Sequence, residues 1–134
     1  MTDPKLKRIL SEMQGKLFEL SGINGYDSEK FIKAFMNSET AKGLDSDFDY
    51  MQWAGKEYIL EKMTEECPEG CVRGGSVYDS ETLYWTGYLY RYWHFYTGES
   101  SRNIYKAADA KTMNSAYLGF HTLDVEEAID RLKK

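Results

Sequence analysis

Arg91 and His94 stand three residues apart in the most aromatic stretch of the chain, with Tyr88 and Tyr90 beside them. On a helix this spacing puts a guanidinium, an imidazole and two phenols on neighbouring turns, where they could line a polar pocket for an anion. Tyr105 follows further on, and His121 sits in Tyr117-Leu118-Gly119-Phe120-His121-Thr122. If the fold gathers Arg91, His94, Tyr105 and His121 around one cavity, the chain is a small enzyme with a polar aromatic pocket. The plainer reading of each histidine is a buried ring bonded to a backbone carbonyl or a tyrosine hydroxyl. No catalytic residue follows from spacing alone.

Cys67 and Cys71, in Cys67-Pro68-Glu69-Gly70-Cys71, supply half a zinc site. A tetrahedral site needs two more ligands, and only the two histidines remain as soft candidates. Two reduced thiols in a loop are expected, with no metal and no cofactor. Nothing adjacent lowers either thiol's pKa toward a nucleophilic thiolate. Gly74-Gly75-Ser76 lacks the spacing of a phosphate loop. Asp45, Asp47 and Asp49 lack the glycine and terminal glutamate of a calcium loop and read as helix caps and solvated charge.

The 134 residues suit one domain able to bury its own core. With 29% charged and 42% hydrophobic residues, the chain is globular rather than disordered. A net charge of −5 argues against nonspecific contact with nucleic acid or an anionic membrane. Charges interrupt every apolar run before it could span a membrane, and Met1-Thr2-Asp3-Pro4-Lys5 opens no apolar signal region, so a cytoplasmic protein is expected.

The elements that must position these residues are helical. Asp3 and Pro4 open a helix whose buried stripe would be Leu6, Ile9, Leu10, Met13, Leu17 and Leu20, stopped at Ser21–Gly25. A second helix, Ser28 to Asn37, capped by Asp27 or Ser28, turns Phe31, Ile32, Phe35 and Met36 inward. Ser38–Gly43 is one capped turn backed by Leu44. Phe48, Met51, Tyr58, Ile59 and Met63 predict a long helix from Phe48 to Glu66, capped from Asp45-Ser46-Asp47 and flanked by Trp53 and Leu60. Residues 67–80, with Pro68, Gly70, Gly74 and Gly75, form the central loop, in which Val72 and Val77-Tyr78 could pair as a short β-hairpin.

Eight of the thirteen residues from Tyr84 to Tyr96 are aromatic, so the core is expected here. Tyr and Trp also favour strands, but Asp79 and Ser80 as caps, Gly98 as a stop, and the length of the run decide for a helix. Trp85, Leu89, Tyr92, Trp93 and Tyr96 would form its core face. Leu83, Gly87, Tyr90 and His94 share a second face, and Tyr84, Tyr88, Arg91 and Phe95 a third. A surplus face of Tyr, Trp and Arg has the composition of a protein–protein hot spot, and Tyr88, Tyr90, Arg91 and His94 are the proposed contacts.

Ser100 or Ser101 then caps a short helix with Ile104, Tyr105 and Ala108. A second, opened by Asp109 or Lys111, carries Met113, Ala116, Tyr117 and Phe120. The last starts at Asp124, with Glu127 at the capping-box position and Leu123 as staple, and turns Ile129 and Leu132 inward. Segment 100–121 therefore has the outline of a DNA-binding helix–turn–helix. Residues 87–134 hold seven Lys/Arg against six Asp/Glu, too balanced for a DNA-reading surface, so nucleic acid is not the expected partner.

The series Tyr88-Leu89-Tyr90-Arg91-Tyr92-Trp93, Thr97-Gly98-Glu99-Ser100-Ser101, Ile104-Tyr105-Lys106, Tyr117-Leu118-Gly119-Phe120-His121-Thr122-Leu123-Asp124 and Ala128-Ile129 resembles small bacterial proteins of gut Firmicutes. Some of these are similar to a domain-of-unknown-function family encoded beside predicted ADP-ribosyltransferase-like toxins. The resemblance covers the last fifty or so residues. It implies an antitoxin-like or regulatory operon partner, with a neighbouring toxin as the bound protein, and brings no catalytic residues with it. The expected fold is mainly α: one compact domain, 1–134, of six or seven helices around a Gly/Pro-rich central loop. The leading function is a protein-binding module, with the small enzyme and the DNA-binding regulator as rivals.

Overall fold

The structure, a computed structural model, describes residues 3–46 and 54–134. Its longest packing contact runs between α1 (Pro4–Ile23) and α5 (Ser80–Thr97). Two helix backbones come close only where side chains are small. A Cβ on Gly87 would collide with the carbonyl oxygen of Gln14, and one on Gly15 would lie 2.9 Å from that of Tyr84.

This contact rotates both helices away from the orientation that hydrophobic spacing predicts. On α1 the buried residues are Leu10, Ser11, Gln14, Gly15, Leu17, Phe18 and Ser21, while Ile9 is 46% exposed. On α5 they are Thr82, Leu83, Thr86, Gly87, Leu89, Tyr90, Arg91 and Trp93. The expected core face holds only in part: Leu89 and Trp93 are buried, but Trp85 and Tyr92 are half-buried and Tyr96 is exposed. The face of Leu83, Gly87 and Tyr90 joins Leu89 and Trp93 in the core. Apolar area ranks the side chains, but backbone proximity at the two glycines fixes which faces touch.

Around this pair lie α2 (Ser28–Met36), α3 (Glu39–Asp45), α4 (Lys56–Glu66), α6 (Ser101–Ala107), α7 (Ala110–Phe120) and α8 (Val125–Leu132), with a 3-10 turn at Pro68–Gly70. The fold is mainly α, with eight α-helices and no strand among the described residues. All the helices from α1 to α8 contribute to one connected core. Phe18 is central to it, meeting Phe31, Phe35 and Tyr90 edge-to-face at centroid distances of 5.9, 5.5 and 6.2 Å. Phe31, Ile32, Phe35 and Met36 point inward from α2 as their spacing predicts.

Most caps are those the sequence announces. Asp3, Asp27, Ser38, Ser100 and Asp109 each accept a hydrogen bond from a backbone N–H of the first turn. Gly98 ends α5 at φ 82°, the left-handed conformation that suits glycine at a helix stop. At α5 and α8 the expectation fails: Asp79 and Asp124 stand at the N-cap but make no side-chain cap bond, and Glu127 pairs with Arg131 at 2.8 Å rather than completing a capping box.

Two further readings are corrected. Ala54 and Gly55 are not helical, and α4 starts at Lys56, so the helix does not run unbroken from Phe48. Phe48, Met51, Trp53 and the cap at Asp47 lie outside the described residues. Tyr58, expected on the buried stripe, is 42% exposed, while Ile59, Leu60 and Met63 are buried. Nor does the central loop form a hairpin. The Val72 and Ser76 carbonyls accept from the Asp27 and Ser28 N–H groups at 2.7 and 2.9 Å, and Asp27 accepts from the Ser76 N–H at 3.1 Å. From Val72 to Tyr78 the loop pairs with the start of α2, while Cys67–Cys71 closes its own 3-10 turn.

Candidate functional site

The polar residues singled out by sequence fall into three places. The first is a buried network at the middle of α5. Arg91, 1% exposed, donates from Nε to Gln14 Oε1 at 2.8 Å, from one terminal nitrogen to Asp45 Oδ1 at 2.7 Å, and from the other to Ser101 Oγ at 3.2 Å. Each partner is anchored in turn. Gln14 donates to the Gly87 carbonyl at 3.1 Å, across the close approach of α1 and α5. Asp45, the last residue of α3, accepts from the Ser101 backbone N–H at 2.9 Å and its hydroxyl at 2.8 Å. Burial pulls the Arg91 pKa down, and Asp45 opposes the shift. A charge buried this completely persists only when paired and fully hydrogen-bonded, and here α1, α3 and α6 supply the partners.

His94 stands at the edge of this network. Its Nδ1 lies 2.7 Å from the Glu99 carbonyl and 3.8 Å from Asp45 Oδ1. A carbonyl only accepts, so Nδ1 carries the proton in that bond. Tyr90 is 1% exposed and donates to the Ala108 carbonyl at 2.6 Å, which ties α5 to the end of α6. Arg91 and Tyr90 are thus interior supports, and their reading as contacts for a protein partner is corrected. Asp45 pairs with Arg91 and accepts from the first N–H of α6, while the helix start at Phe48 that it is expected to cap lies outside the described residues.

The second place is a groove of about 430 Å³ on the opposite flank of α5. Tyr84, Trp85 and Tyr88 give it an aromatic wall from α5. Tyr117, from α7, meets Trp85 edge-to-face at 5.7 Å, and His121 stacks on Tyr117 at 4.4 Å. Tyr88 also stacks on Tyr92 at 6.3 Å, which extends the aromatic row along the helix. His121 Nδ1 lies 2.7 Å from the Tyr117 carbonyl, so its orientation is fixed. Glu19 and Glu81 also line the groove. Glu19 accepts from the Ser80 hydroxyl at 2.8 Å and Glu81 from the Tyr117 hydroxyl at 3.2 Å. Among the described residues neither carboxylate forms an ion pair. Burial, then Glu12, raises the pKa of both Tyr84 and Tyr88, while Arg8 draws Tyr88 back.

Tyr105 belongs to a third place, a separate hollow with Glu29, Lys30, Lys33, Asp109 and Lys111. Arg91, His94, Tyr105 and His121 therefore do not share one cavity. His121 packs beside Trp85, nine residues before His94 on α5, or about 13 Å along a helix axis. The four-residue enzyme pocket is not formed.

The cysteines offer no nucleophile. Both are free, and burial together with Glu66 and Glu69 pushes the Cys67 thiol up to about 11. Burial raises Cys71 as well, with Glu69 adding to it. Among the described residues no cluster of His, Cys, Asp and Glu could hold a metal ion, and no helix is long and apolar enough to cross a membrane.

Sequence reasoning missed Gln14 and Ser101 in the network and Trp85, Tyr117, Glu19 and Glu81 in the groove. The excess of aromatic faces on α5 was a signal for the groove. Only Gly15 and Gly87, one in each of the two longest helices, hinted at where Gln14 would sit. Against protein-family models, curated proteins and solved structures, the chain finds no match.

Proposed function

We propose that the protein is a protein-binding module of the cytoplasm, an antitoxin-like or regulatory partner of a neighbouring protein, which docks through the aromatic groove of α5, α7 and α8. The observation that carries this reading is the groove itself. Tyr and Trp, the residues most enriched at binding hot spots, line a cleft that no described helix fills. Half-buried aromatic rings in fixed stacks lose little freedom on binding, which favours a contact role over a disordered surface. The resemblance of the last fifty or so residues to toxin-adjacent proteins points the same way. The net charge of −5 does not favour the DNA-binding alternative.

The contact set is revised by burial. Tyr88 and His121 remain in it, joined by Trp85 and Tyr117, while Tyr90 and Arg91 leave it. The test is a parallel capture from native cell extract with the wild-type protein and with Tyr88→Ala and Tyr117→Ala, each checked for an unchanged helical signal. A protein held by the wild type and lost from both variants is the expected result. Identical captured sets for all three baits would remove the groove as the docking surface.

A further inference from the structure

Resting on that docking reading, we infer that the groove recognises an arginine side chain presented by a segment of the partner protein. The guanidinium would lie against the Trp85 and Tyr88 rings, with its edge toward Glu19 and Glu81. Two features of the groove lead to this chemistry. Its wall is the electron-rich face of a row of aromatic rings, which attracts a cation, most strongly where water is excluded. Its two carboxylates meet only hydroxyl donors, Ser80 at 2.8 Å and Tyr117 at 3.2 Å, and pair with no cation among the described residues.

The acidic edge continues past the groove. Tyr92 donates to Glu126 at 2.9 Å and Tyr96 to Asp130 at 3.1 Å, so α8 also turns carboxylates toward the aromatic row. A partner segment approaching along α5 meets carboxylates from α1, α5 and α8, with Arg8 as a cation near Tyr88. Arginine fits better than lysine. Its planar guanidinium stacks on an aromatic ring, is weakly hydrated, and can bond two carboxylates through its fork, whereas an ammonium holds its water more tightly. The flanking residues of the segment would be apolar, because Leu89 and Val125 add hydrocarbon to the aromatic lining.

The experiment is an NMR titration of the whole protein with a blocked pentapeptide, Leu-Ala-Arg-Ala-Leu, and with the same peptide carrying citrulline in place of arginine. The reporter is the Trp85 indole N–H, assigned with Trp85→Phe. The Trp93 indole, bonded to Glu99 in the core at 2.9 Å, is the internal reference that should not move. The arginine peptide is expected to bind about tenfold more tightly than the citrulline peptide, the factor that one stacked, carboxylate-paired cation supplies. In the double variant Glu19→Gln with Glu81→Gln, that preference should shrink while citrulline binding stays the same.

Equal affinity for the two peptides in the wild type would overturn the cation inference. It would leave the docking reading untouched, since groove-dependent capture decides that separately. Absence of any Trp85 shift with either peptide would also overturn the inference. Blocked arginine amide binding as tightly as the pentapeptide would assign the groove to a small organic cation and reject the peptide segment.

Discussion

The two flanks of α5 treat polar groups in opposite ways. Toward α1, α3 and α6, Arg91 is wholly enclosed, and each of its guanidinium nitrogens has a fixed acceptor. Toward α7 and α8, the tyrosines keep their rings partly open, and their acidic neighbours meet hydroxyls rather than cations. One eighteen-residue helix thus carries a closed flank and an open one. The difference shows what decides burial in an aromatic-rich segment. Residue type does not, because Trp85 is half-buried while Arg91 is enclosed. Arg91 stays inside because three elements satisfy it. The aromatic row stays accessible because no described element covers it.

Arg91→Ala is the strongest way to break this comparison. Removing one member of a buried, bonded ion pair costs about 3–5 kcal/mol, a large part of the roughly 5–15 kcal/mol that holds a domain together. Arg91→Lys should recover little of it, since an ammonium cannot reach Gln14, Asp45 and Ser101 as a planar fork does. Tyr88→Ala on the open flank should cost about 1 kcal/mol or less in the same urea titrations. Similar losses for Arg91→Ala and Tyr88→Ala would mean that the flanks do not differ in kind.

Gly87→Ala sharpens the closed side from the backbone outward. The added methyl meets the Gln14 carbonyl and should force α1 away from α5, at a cost of about 1–3 kcal/mol. Its signature is a weakened Gln14–Arg91 link, so Gly87→Ala and Arg91→Ala should be non-additive in a double-mutant cycle.

Glu66 is an intermediate case, a carboxylate at the surface that is nonetheless well bonded. It accepts from the Glu39 and Thr40 N–H groups at 2.6 and 3.0 Å and from the Thr40 hydroxyl at 2.6 Å, so the end of α4 caps α3. Burial raises its pKa, but the bonds from Thr40 and Glu39 outweigh that and leave it below its usual 4.5. A depressed carboxylate contributes stability that is present above its unfolded value and lost as pH falls through its folded one. Glu66→Gln should therefore cost about 1 kcal/mol near neutrality and remove part of the acid sensitivity below pH 4.5. Equal acid sensitivity in wild type and variant would show that the cap contributes nothing.

Tyr92→Phe should have the smallest effect at neutral pH, within about 0.5 kcal/mol for a half-exposed bond. Its value lies in alkali. Burial and then Glu126 push the Tyr92 hydroxyl up to about 12 from its ordinary 10.0. A raised tyrosine favours the fold below its unfolded pKa and ceases to do so as pH rises through its folded one. The wild type should lose stability from pH 10 upward, and Tyr92→Phe should lose less over that interval. Coincident profiles would show that Glu126 does not hold this hydroxyl.

Local chemistry was the legible part of the sequence. Asp3, Asp27, Ser38, Ser100 and Asp109 each cap the helix that follows, because a cap needs only its own first turn. The inward side of α2 was legible for the same reason, since its four apolar residues fall on one stripe. The orientation of α5 was not. It depends on a helix contact between residues some seventy positions apart, and on a Gln14 amide that nothing nearby in sequence marks as buried. The Asp45–Arg91 pair has the same character, its members lying 46 positions apart. For the groove, composition announced an excess of aromatic rings, but which rings stayed open followed from that same unreadable rotation.

The close approach of α1 and α5 at Gly15 and Gly87 also sets a schedule for the chain as it is made. At roughly 5–20 residues per second, α1 waits on the order of 4–15 s for the end of α5 to follow it from the ribosome. During that interval Leu10, Leu17 and Phe18 have no α5 to cover them. A half-finished chain therefore carries an uncovered apolar face on α1, and a nascent-chain chaperone that holds α1 over that interval is expected to raise the yield.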